Sequence, residues 1–196
     1  MKSNPVFCLI ASLALWSAAI HAQATNDATA TDGVFDKLVE VTNFLDNYRN
    51  MAGVAAEVSA TRGKGNDAEF AKLMASVARL GISDVKSCVA RGFSGPPMTP
   101  EDAVSLIKTL KTPMGQKTLE IGQAMLINDI RHGSPQGPDP AFVSALTDGE
   151  RQELIRIRQQ PSFVHYGQLL ASAGFKRNIG QCLMASKAFR ESGVKL

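Results

Sequence analysis

Apolar residues recur along this chain at helical spacing. Val34, Leu38, Val41, Leu45, Tyr48, Ala52 and Ala55 step by four and three in alternation. Phe44, Met51 and Val58 widen the stripe, and Asp36, Asn43, Asp46, Asn47, Asn50 and Glu57 lie opposite. The pattern predicts one long amphipathic helix with an apolar face wide enough for two neighbours. A free coiled coil would need a second comparable heptad run, and none follows. A bundle is the better expectation.

The stretch TRGKGND (Thr61 to Asp67) interrupts the periodicity with two glycines, and Asp67 can cap what comes next. It lacks the spacing ending in Lys-Ser/Thr that a phosphate-cradling loop requires. Ala68 to Arg91 reads as a helix with Phe70, Leu73, Met74 and Val77 on its inner face and a possible interruption at Gly81. GFSGPPM then ends it.

Thr99 to Lys117 carries a start signal twice. Thr99 is an N-cap candidate, Pro100 stands at the first helical position, and Glu101 and Asp102 complement the positive helix end. Ala103, Leu106, Ile107 and Leu110 share the inner face. Thr112-Pro113 repeats the device. The residue before a proline is pushed out of the α region, so the first helix should stop near Lys111. A second should run from Pro113 to about His132. Gly133 to Pro140 is a Gly/Pro loop, and Ala141 to Leu146 is long enough for a turn or two.

A fainter copy of the signal begins at Thr147. Thr147 and Glu150 fit a capping box. At an offset of 48, Thr99, Leu106, Ile107 and Pro113 match Thr147, Leu154, Ile155 and Pro161. Two related helix-corner-helix units, 99–132 and 147–188, are the reading this suggests. Convergence of caps and apolar faces is the alternative. From Pro161 the helical pattern reaches about Ala188 with Gly167, Gly174 and Gly180 inside it, which points to a break or a close crossing. No stretch alternates as a strand. The expectation is an all-α, single-core bundle of six to eight helices over 32–196.

Composition adds the compartment. Lys2 followed by an apolar run from Val6 to Ile20, then Ala22-Gln23-Ala24, has the layout of a cleaved signal peptide over 1–24. Cleavage after Ala22 or Ala24 would leave a loose leader over 25–31. No later stretch is apolar and long enough to predict a membrane span. The whole chain carries 21 Lys+Arg against 18 Asp+Glu, and the two signs are interspersed, which is not a nucleic-acid footprint. Removal of the signal takes Cys8 with it and leaves Cys88 and Cys182. Both fall on apolar helical rows. In an oxidising compartment they can bridge, and separate buried thiols are the other possibility. The absence of CxxC argues against a redox pair.

Candidate chemistry is sparse. His132 and His165 are the histidines left after the signal, and neither lies in a metal-binding spacing. Asp129 could share a helix face with His132, but a basic residue at a helix end explains the position. Ser83 to Lys86 fits S-x-x-K without the companion elements of the penicillin-binding enzymes. Glu101, Asp102, Asp148 and Glu150 are accounted for as helix-start residues. No catalytic, metal-binding or cofactor-binding residue is predicted.

Glu101, Leu106-Ile107, Thr112-Pro113 and Gly115-Gln116-Lys117 resemble the pattern of an exported protein family, the domain of unknown function numbered 2059 (DUF 2059). In that family an acid-started helix with an apolar pair leads to a small residue, Pro, and Gly-Gln/Lys-Lys. The resemblance implies a small helical periplasmic domain without an established activity. The expected function is a non-enzymatic periplasmic protein that binds an envelope protein or component. Loops 92–98 and 133–140 are its candidate contact segments. An envelope hydrolase acting on peptidoglycan and a carrier of a small apolar ligand are the rival readings.

Overall fold

A computed structural model describes residues 32–62, 66–79 and 81–191. The predicted signal over 1–24, the leader over 25–31 and residues 63–65 of the glycine turn lie outside them. Among the described residues eleven helices follow in order: α1 (Asp32–Val41), α2 (Phe44–Arg62), α3 (Asn66–Ala78), α4 (Ile82–Phe93), α5 (Pro100–Leu110), α6 (Pro113–His132), α7 (Pro140–Ser144), α8 (Asp148–Gln159), α9 (Pro161–Ala171), α10 (Ala173–Ala185) and α11 (Lys187–Glu191). No strand occurs among the described residues, so the all-α expectation holds.

The chain is divided more finely than the six to eight helices expected. The long first helix is two, because Asn43 adopts a left-handed φ of 48° between α1 and α2. Asparagine tolerates that conformation better than most residues. The break is tied down by Thr42, whose hydroxyl donates to the Leu38 carbonyl, and by Asn47, whose amide donates to the Thr42 carbonyl. The stretch after Pro161 is three helices, and its breaks fall on serines, not on the glycines. Ser172 and Ser186 each accept from the N–H of a phenylalanine three residues on, Phe175 and Phe189. Each serine thus ends one helix and caps the next.

The two Thr-Pro signals behave as predicted. The Thr99 hydroxyl accepts from the Asp102 N–H at 3.1 Å, and the Asp102 carboxylate accepts from the Thr99 N–H at 3.2 Å. Thr112 accepts from Gly115 N–H at 3.0 Å, one residue after the α5 stop at Lys111. Thr147 and Glu150 form the second capping box, with bonds of 3.2 and 2.8 Å. Gly133, in the left-handed region at φ 70°, closes α6.

One core runs through α1 to α5, α9 and α10. At its centre Phe93 meets Phe175 and Phe44 edge-on, with ring centroids 4.8 and 5.2 Å apart, and stacks on Tyr166 at 5.9 Å. Edge and offset contacts of this kind add to the area these rings bury. Beside the aromatic cluster, Cys88 of α4 and Cys182 of α10 form a disulfide with Cα atoms 5.7 Å apart. This separation favours the bridge over two separate buried thiols.

Candidate functional site

The polar residues of the core surround gather on one seam. Asp102, Ser105 and Thr109 lie on successive turns of α5, beside its apolar face of Ala103, Leu106, Ile107 and Leu110. Three residues of α9 and its cap meet them in reverse order. His165 Nδ1 is 2.9 Å from Asp102 Oδ2, the Ser162 and Ser105 hydroxyls are 3.5 Å apart, and the Thr109 hydroxyl donates to Gln160 Oε1 at 2.8 Å. The two helices therefore run antiparallel across a stripe of paired polar groups.

A second contact mirrors the first. Lys117, in the early turns of α6, donates to Glu150 at 2.7 Å, and Glu150 is the capping-box acid of α8. Asp102 and Glu150 are equivalent at the 48-residue offset, and so are Lys117 and His165. Each unit's capping acid is thus held by a basic residue on the second helix of the other unit. The packing obeys the same exchange, since α5 lies on α9 and α6 lies on α8. The two contacts are therefore crossed between the segments that begin at Thr99 and Thr147.

These acids are shifted by their partners. The Glu150 carboxyl is lowered from 4.5 to about 2, chiefly by the hydrogen bond from Lys117 and then by those from the Thr147 N–H and hydroxyl. For Asp102, partial burial pushes upward, but bonds from His165 and from the Thr99 N–H and hydroxyl outweigh it and hold the carboxyl below its ordinary value. Burial pushes the Tyr166 hydroxyl up to about 12, which keeps it neutral.

The corner between α5 and α6 uses the rest of the Thr99–Lys117 stretch. A Cβ on Gly115 would stand 2.2 Å from the Thr109 carbonyl oxygen and 2.6 Å from Leu110 Cα, so the backbone approach excludes any side chain there. The Gln116 amide donates to the Leu110 carbonyl, which the end of α5 leaves open. Pro100, Pro113 and Pro161 all stand at helix starts. Every motif residue from Thr112 to Lys117 whose side chain makes a polar contact makes it within the fold.

Other sequence candidates separate. His132 Nδ1 lies 2.9 Å from the Asn128 carbonyl, while Asp129 accepts from the Gln136 N–H at 2.7 Å, so the two do not form a pair with each other. Lys86 of the S-x-x-K stretch is bonded to Glu40 of α1, and the Ser83 side chain lies outside the described residues. Phe93 of GFSG is core and Ser94 is the end of α4. No group of three metal-ligating residues occurs among the described residues. An open groove of about 370 Å³ lies elsewhere, lined by Asp46, Arg49, Asn50, Gly53, Val54, Glu57 and Ala78.

Among the described residues the Asp102–His165 pair is the one arrangement with the outline of catalytic machinery, since a carboxylate orienting an imidazole is part of a hydrolytic triad. Here the same carboxylate oxygen already accepts from Thr99, which makes it a cap. The pair ties two helices 63 residues apart in sequence. Sequence reading identified Asp102 only as a first-turn acid. The 48-residue offset, applied to Lys117 as well as to the caps, was the signal that leads to His165. Comparison with family models, curated proteins and solved structures returns no match, so the reading of the site rests on this geometry.

Proposed function

We propose that the chain is an exported, disulfide-locked helical protein that works by binding an envelope protein or component. The observation that carries the reading is the use of the Thr99–Lys117 residues. They build a corner and two interhelix ties, which gives a rigid body. Export is supported by the Cys88–Cys182 bridge, because such bonds persist in oxidising compartments. The resemblance to the DUF 2059 family belongs to the same proposal. Residues 122–145 include no buried position, and they carry the exposed side chains Leu126 and Val143 beside the 133–140 loop. This is the surface offered for contact. The 92–98 segment is less available, since Met98 is buried.

Three measurements test the proposal. Protein recovered from the periplasm should begin at Gln23 or Thr25 and show no free thiol after denaturation. Cross-linking in the native envelope should join residues 122–145 to one recurrent component, and Leu126→Glu with Val143→Glu should abolish that product. A cytoplasmic, thiol-bearing protein would overturn the export reading, and an unchanged cross-link in the double variant would overturn the surface. The hydrolase reading has one observation in its favour, the Asp102–His165 pair. It requires peptidoglycan cleavage that His165→Gln removes.

A further inference from the structure

The Thr109–Gln160 bond joins the end of α5 to the end of α8, and cations gather around it. Lys108 and Lys111 lie within two residues of Thr109, and Arg158 lies two residues before Gln160. All three are exposed, and among the described residues none of them forms an ion pair. The neighbouring Arg156 is paired with Glu153. Both signs of charge are spread along the chain as a whole, but no Asp or Glu occurs from Ala103 to Leu119 or from Leu154 to Arg190. The fold brings these two acid-free stretches together through the packing of α5 on α9 and of α6 on α8.

Apolar side chains stand on the same helices. Val104, one turn before Lys108, is 59% exposed, and Ile155, one turn before Arg158, is 53% exposed. They are the two most exposed large hydrophobic side chains among the described residues. A lysine or arginine in a last turn also offsets the helix dipole. That role calls for no exposed apolar neighbour and no acid-free surroundings.

We propose that the surface around Thr109–Gln160 binds an anionic phospholipid bilayer, with Lys108, Lys111 and Arg158 facing headgroup phosphates and Val104 and Ile155 entering the interface. Cations draw a protein to an anionic leaflet, and apolar side chains then bury themselves at the headgroup boundary. A soluble polyanion would attract the cations but offer Val104 and Ile155 nothing to enter. Among the described residues no helix is long and apolar enough to cross a membrane, so the contact is peripheral. None of these residues belongs to 122–145. Meeting the bilayer in the cell rests on the export reading, whereas vesicle binding does not. A failed cross-link at 122–145 would therefore sink that surface and leave this one standing.

The mature, oxidised chain is sedimented with phosphatidylcholine vesicles containing about one-third phosphatidylglycerol, and with phosphatidylcholine vesicles alone. Binding should appear with the anionic vesicles only and should weaken as salt is raised. The triple variant Lys108→Gln, Lys111→Gln, Arg158→Gln should bind more than about tenfold more weakly. The variant Lys37→Gln, Lys72→Gln, Arg79→Gln removes the same charge from exposed positions elsewhere and should stay close to the wild type. Val104→Ser with Ile155→Ser should weaken vesicle binding about fivefold and leave the behaviour toward soluble polyphosphate unchanged. Equal binding to the two kinds of vesicle would overturn the proposal, as would equal losses in the two triple variants or none in the first. Vesicle binding indifferent to Val104 and Ile155 would assign the surface to a polyanion and overturn the lipid reading. Should the first triple variant fold poorly, amine labelling of the wild type decides. Anionic vesicles should shield Lys108 and Lys111 while Lys37 and Lys72 stay reactive, and uniform labelling rejects the surface.

Discussion

The units beginning at Thr99 and Thr147 share caps, corner prolines and crossed ties, yet they are buried very differently. Helix α5 contributes Ala103, Leu106, Ile107 and Leu110 to the central core. Helix α8 buries only Ile157, and the equivalent of Ile107, Ile155, is 53% exposed. The second helices reverse the order. Helix α9 sends Tyr166 and Leu169 into the core, while α6 buries only Gly115, Thr118 and Ile121 and reaches the core with the partly buried Leu119 and Ile130. Each unit therefore has one helix in the core and one at its edge, in opposite order. Segments with the same caps and corner prolines can thus be buried in opposite ways against one core. The caps set where helices start. Burial is decided by what packs on them.

The corners give the sharpest contrast. Gly115 has no room for a Cβ, but its equivalent is Phe163, a partly buried aromatic packed on the core. Gly115→Ala should cost more than about 4 kcal/mol, because backbone must move. Phe163→Ala should cost about 2 kcal/mol, below the range of a fully buried ring. Thermal or urea unfolding of the two variants measures this. A mild Gly115→Ala would mean that the first corner is as open as the second. The inner faces come next. Leu106→Ala should lose about 3 kcal/mol as a fully buried leucine. Its equivalent Leu154, partly exposed, should lose about 1 kcal/mol. Similar losses would show that α8 belongs to the core after all.

What the sequence revealed about these units follows the range of the forces involved. Caps, N1 prolines and the stop at Lys111 depend on residues within four positions, and the structure has them where the spacing put them. The disulfide was legible as a pairing because setting aside Cys8 of the expected signal leaves two cysteines. The break at Asn43 was hidden, since the apolar stripe runs on across it. The breaks at Ser172 and Ser186 were hidden behind nearby glycines that have no structural crowding at Gly167 or Gly174. The ties of Asp102 and Glu150 depend on helices brought together from far along the chain, which local pattern does not register.

Where the units are alike, perturbations should be alike. Thr99→Ala and Thr147→Ala each remove an N-cap and should each cost about 1 kcal/mol. A large difference between them would show that one cap is coupled to the core beyond its helix. Acid should separate the ties themselves. Glu150 contributes stability that is complete above 4.5 and is lost as pH falls toward about 2. Urea midpoints of the wild type should therefore drop more steeply than those of Glu150→Gln across that window. Parallel slopes would mean that the Lys117–Glu150 bond adds nothing in solution.

The smallest effects should come from the prolines that first drew the two units together. At the first helical position proline sacrifices no hydrogen bond, and its gain is a more restricted unfolded chain, about 0.4–1 kcal/mol. Pro113 follows Thr112, whose hydroxyl already caps α6, whereas Gln160 before Pro161 makes no side-chain cap and is turned toward Thr109. With no side-chain cap behind it, Pro161 carries more of the helix start. Pro161→Ala should thus cost somewhat more than Pro113→Ala, both staying near or below about 1 kcal/mol. A loss above about 3 kcal/mol at Pro113 would exceed anything a helix start supplies. It would place the proline ring itself in the tight packing of the corner, beside the Gly115 approach.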